Sequence, residues 1–200
     1  MIEKPWYKRW WGILFILIGL GILANIATQQ QSQVTHPTNK AEQKPKKTDT
    51  EILVEIENRM NVYQKKLKGY YPDDDMLRTL SEDLVKLAIV EAVYSKADDA
   101  NQKKVFSKAK SLRPKVELLL REVFAKNMER SLLDKGITTD IQAKGNNKQI
   151  LEYKYALMSK AVVYKLVNEG NALETAKKVG FKKIVFTDGF NSSWTYDLTK

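Results

Sequence analysis

The sequence predicts an α+β protein in which an N-terminal transmembrane helix and a flexible linker precede a helical segment and a β-β-α-β-β antiparallel sheet. Three observations predict it. An apolar run without charge fills residues 10–27, helical periodicity governs residues 50–136, and a period of two takes over after Gly136.

The apolar run, WWGILFILIGLGILANIA, extends from Trp10 to Ala27. At 1.5 Å per residue it spans about 27 Å, close to the hydrocarbon thickness of a bilayer. Trp6, Tyr7, Trp10 and Trp11 cluster at its start, where amphipathic rings favour the headgroup level. Lys4, Lys8 and Arg9 lie among them, whereas the nearest cation on the other side is Lys40. The positive-inside rule therefore orients residues 1–9 to the cytoplasm and everything after the span to the periplasm or exterior. A cleaved signal peptide would have a shorter apolar core, and Ile22-Leu23-Ala24 is a poor cleavage site. The run KPWYKRWW, Lys4 to Trp11, resembles the start of many single-span bacterial envelope proteins, particularly Gram-positive ones. That resemblance covers fewer than ten residues and implies anchoring alone. It gives the expected location, a single pass through the cytoplasmic membrane, with the bilayer as partner of residues 10–27.

Residues 28–49 are rich in Gln, Thr, Lys and Pro and show no apolar period. Such a segment buries too little surface to offset its ordering entropy, so it reads as a tether. The domain then occupies residues 50–200. Thr48 and Glu51 stand in capping-box spacing ahead of Ile52, Ile56, Met60, Tyr63 and Leu67 at helical intervals. A second helix is predicted from about Asp75 to Tyr94. A third begins near Asp99, is bent or interrupted at Pro114, and continues to Gly136. Beyond it, Ile137, Thr139, Ile141 and Ala143 alternate, Gly145-Asn146-Asn147 turns the chain, and Leu151, Tyr153 and Tyr155 return. A helical segment from Ser159 to about Val179, punctuated at Gly170-Asn171, separates this pair from KKIVFTD and SSWTYDL.

Composition excludes several chemistries. Cysteine is absent, so disulfides and thiolate metal sites are impossible. The single histidine, His36, sits in the linker, which leaves no imidazole for a nucleophilic triad in the folded region. Asp73, Asp74 and Asp75 precede an apolar helical pattern and read as caps rather than cation ligands. Ser107-Lys108-Ala109-Lys110 matches S-x-x-K, but the accompanying S-D-N and K-T-G elements are missing. No catalytic residue, metal or cofactor is expected.

Binding residues are expected in two places. Lys103, Lys104, Lys108, Lys110, Arg113 and Lys115 make a basic helical stretch with Phe106 as its only aromatic. Phe190 and Trp194 belong to an aromatic hairpin beside Asp188 and Asp197. The formal charge of +10 favours anionic neighbours. The expectation is a non-enzymatic interaction module of the bacterial cell envelope, facing another envelope protein or an anionic cell-wall polymer. A small hydrolase using Asp188, Asp197, Asp140 or Glu152 is the alternative, as is a tethered nucleic-acid binder, which the outside location disfavours.

Overall fold

The computed structural model describes residues 47–69 and 71–200. The predicted span and its flank, residues 1–27, and the linker as far as residue 46 lie outside the described residues. Among the described residues no helix is long and apolar enough to cross a membrane. The folded unit runs from Leu53 to Lys200; residues 47–52 of the preceding unit form the cap and first turn of a helix.

That helix, α1, spans Asp49–Lys66. Its capping box forms reciprocally: the Glu51 carboxylate accepts from the Thr48 amide at 2.8 Å, and the Thr48 hydroxyl accepts from the Glu51 amide at 3.3 Å. Helix α2 spans Asp74–Val93 and α3 spans Ala100–Leu133. At 34 residues, α3 is about 51 Å long. It passes without interruption through Pro114, which is solvent-exposed. Buried Leu112 and Val116 flank the proline on the packed side, so burial holds the helix together where one amide donor is missing.

Ion pairs tie the three helices. Arg59 on α1 donates twice to Asp83 on α2, at 2.8 and 2.9 Å, and Asp83 is fully buried. Glu57 on α1 meets Lys108 on α3 at 2.7 Å, and Glu91 on α2 meets Arg113 on α3 at 2.8 Å. Ile56, Leu80, Leu87, Leu112 and Leu119, spread over the three helices, are all buried.

Four strands follow: β1 (Asp140–Lys144), β2 (Ile150–Lys154), β3 (Lys183–Thr187) and β4 (Ser193–Asp197), ordered β1-β2-β3-β4. The outer pairs are antiparallel hairpins, as expected, but β2 and β3 run parallel, so the sheet is mixed rather than antiparallel. The connection explains the correction. Between them the chain leaves the sheet and crosses one face through two helices, α4 (Lys160–Asn168) and α5 (Ala172–Val179). A helical crossover between neighbouring strands delivers the second in the same direction as the first. The helical segment expected there, punctuated at Gly170-Asn171, divides at that point into two helices, with Asn171 in a left-handed conformation, φ 51°.

Alternation puts Ile141, Tyr153, Phe186 and Trp194 in one cross-strand row, and Ala143, Leu151, Ile184 and Tyr196 in the next. Both rows join a core with Phe124 and Ala125 of α3, Val163 of α4 and Ala176 of α5. Phe186 stacks between Tyr153, at 5.2 Å, and the edge of Tyr196, at 6.0 Å. Burial pushes the Tyr153 phenol well above its ordinary range. The buried Arg121 guanidinium joins the layers: it donates to the carbonyls of Gly180 and Asn147 and to Glu117, at 3.0–3.2 Å. The other sheet face carries mainly charged and polar residues, with Ile150 and Val185 among them.

Candidate functional site

Helix α3 starts at Asp99, whose side chain accepts from the amides of Asn101 and Gln102 at 2.8 and 3.0 Å. Its early turns bury Ala109, Leu112 and Val116. With 3.6 residues per turn, Lys103, Lys104, Lys110 and Lys115 then fall within an arc of about 140° on the other side, together with Ser107 and Ser111. All six are exposed, and the stripe is about 18 Å long. No acidic residue occurs from Ala100 to Val116. Lys108 and Arg113, expected in the same surface, are instead engaged by Glu57 and Glu91. The Lys108 hydrogen bond holds the Glu57 carboxyl below its usual range. The stripe thus contains four lysines without an ion pair among the described residues, and Lys110 lies 5.9 Å from the Phe106 ring centroid.

The second expected contact is the β3–β4 hairpin. The Asp188 carboxylate accepts from the amides of Phe190 and Ser192 at 2.8 and 3.0 Å, which also holds its pKa below the ordinary carboxylate value. Gly189 supplies the positive φ of 82° that the tip requires. Phe190 is left 81% exposed. Trp194, by contrast, is half-buried against the core, so only Phe190 offers a whole side chain. The hairpin forms the β4 edge of the sheet, whereas the stripe sits where α3 is tied to α1 and α2. The fold does not bring the two regions into one site.

The carboxylates behave as structural groups. Asp73 caps α2 by accepting from the Met76 amide at 2.9 Å, Asp74 holds Asn127 at 3.0 Å, and Asp75 pairs with Arg78. Among the described residues no cluster could hold a metal ion. Ser107 and Lys110 share no hydrogen bond. On the open sheet face Asp140 stands opposite Lys154, Asp197 stands opposite Lys183, and Glu152 pairs with Lys144. Thr199 hydrogen bonds hold Asp197 below its ordinary pKa. A glycosidase acid must instead be raised so that it stays protonated.

One concave feature has no counterpart in the sequence reading. A groove of about 870 Å³ separates the end of α1 from α3 and β1. Lys65, Leu67 and Lys68 form one wall; Leu118, Glu122, Ala125 and Lys126 form another. Ile141, Gln142 and Ala143 of β1 and Lys148 complete the lining. In the sequence, Lys65 and Lys68 read only as cations suited to a helix C-terminus. Contributors more than 70 residues apart leave no local signal; only the packing of α3 on β1 assembles them.

No protein-family model, curated protein or solved structure matches this chain.

Proposed function

We propose that this chain is a membrane-tethered, non-enzymatic interaction module of the bacterial cell envelope, holding an anionic partner on the exposed face of α3. The observation that carries the proposal is the stripe of Lys103, Lys104, Lys110 and Lys115, exposed on one helix face without an acidic neighbour on that stretch. Cations that serve only the fold are spent on partners, as Lys108 and Arg113 are. A row of lysines without ion pairs among the described residues, of which Lys115 feels the carboxylate of Glu57, attracts polyanions over roughly a Debye length, about 8 Å at physiological salt. The partner is an anionic cell-wall polymer or the acidic surface of another envelope protein. The apolar run from Trp10 to Ala27 and its one-sided basic flank support tethering, with the folded region outside the cytoplasm.

Replacing Lys110 by a photo-crosslinking amino acid in the full chain, in living bacterial cells, tests the reading. One dominant envelope species should be trapped, and the same substitution at Lys160 should not trap it. Absence of any adduct, or an adduct confined to cytoplasmic proteins, overturns it.

A further inference from the structure

We propose that the groove beside β1 receives an extended, acidic peptide segment of a partner protein, which adds to the sheet as a fifth strand. This surface is separate from the stripe on α3 and stands on its own observations.

First, β1 is an edge strand, paired on one side only, with β2. Alternate residues of an antiparallel edge strand point their N–H and C=O groups away from the sheet. Among the described residues, the main chain of Asp140–Lys144 makes no hydrogen bond to any element other than β2. Second, Ile141, Gln142 and Ala143 all line the groove. Ile141 is fully buried and Ala143 nearly so, so a segment in the groove meets the strand at Gln142 and, at the same alternation, at Asp140 and Lys144. Third, about 870 Å³ suits a short segment rather than a domain, since ligand clefts run to about 300–1,000 Å³. β-Strand addition uses such an edge: main-chain bonds supply affinity and flanking groups choose the sequence.

The flanking groups select acidic residues. Lys65, Lys68, Lys126 and Lys148 line the groove against Glu122 alone. Lys148 approaches Glu122 at 3.5 Å and Lys126 holds Glu129 at 2.6 Å. Lys65 and Lys68 are exposed and make no ion pair among the described residues. Leu67 and Leu118, both part-exposed, supply an apolar floor, so the segment should alternate apolar and acidic side chains.

The test uses the full chain in detergent micelles and a capped peptide of alternating glutamate and valine. Its controls are the lysine–valine analogue and the glutamate–valine peptide N-methylated along one edge. Amide exchange at 140–144 should slow at least several-fold with the acidic peptide. The protection should vanish with the N-methylated peptide and with the Lys65→Glu/Lys68→Glu variant, and persist in Lys103→Gln/Lys104→Gln. Failure of the acidic peptide to protect β1 overturns the proposal. So does equal protection by the lysine analogue, or loss of binding on changing Lys103 and Lys104 alone.

Discussion

At the scale of single residues, the fold depends on a few charges taken out of water. Asp83 is fully buried, and its carboxylate is satisfied by two Arg59 hydrogen bonds, with Lys86 further off at 3.6 Å. The pair is asymmetric, because the Arg59 side chain remains 24% exposed. Removing the exposed partner strands the buried one. Arg59→Ala should therefore cost about 3 kcal/mol in urea unfolding, and Asp83→Asn clearly less, since it removes the charge that needs the partner. Equal losses would show that the pair acts through packing. Little of this was legible in the sequence, where Asp83 is one polar residue on an amphipathic helix. Arg121 is similar: its partners, Gly180 and Asn147, are brought to it by the crossover and by the β1–β2 turn. Local signals fared better. The capping box at Thr48 and Glu51 and the cap at Asp73 form as spacing predicts, because each is closed within a few residues.

At the scale of elements, periodicity located the helices and strands to within a few residues, while their connections needed three dimensions. Period two identifies a strand and its buried face but carries no information on direction. Two hairpins could stack antiparallel, or be joined in parallel by a crossover, without any change in alternation. Helix α3 shows the opposite error. Pro114 locally argues for a break, yet the buried row on either side keeps the helix continuous. The proline still forfeits a hydrogen bond. Pro114→Ala should stabilise the chain by about 1–3 kcal/mol, read as a higher urea midpoint at unchanged slope. A lower midpoint would mean that the proline relieves strain elsewhere in the helix.

At the scale of the whole molecule, the described residues divide their cations into those that hold the fold and those that face solvent. The sequence located the basic stretch of α3 but could not sort it, because Glu57 and Glu91 reach Lys108 and Arg113 from other helices. The groove beside β1 was invisible for the same reason. The central claim is that the remaining four lysines grip a polyanion. Its most direct test is the salt dependence of binding between the full chain and a synthetic glycerol-phosphate polymer. Exchanging Lys103, Lys104, Lys110 and Lys115 for glutamine should weaken binding and lower the slope of log K against log salt by about 3, roughly 0.7 per cation lost. Exchanging Lys65 and Lys68 should leave most of that slope in place. A slope unchanged by the fourfold variant, with binding retained, would contradict the account.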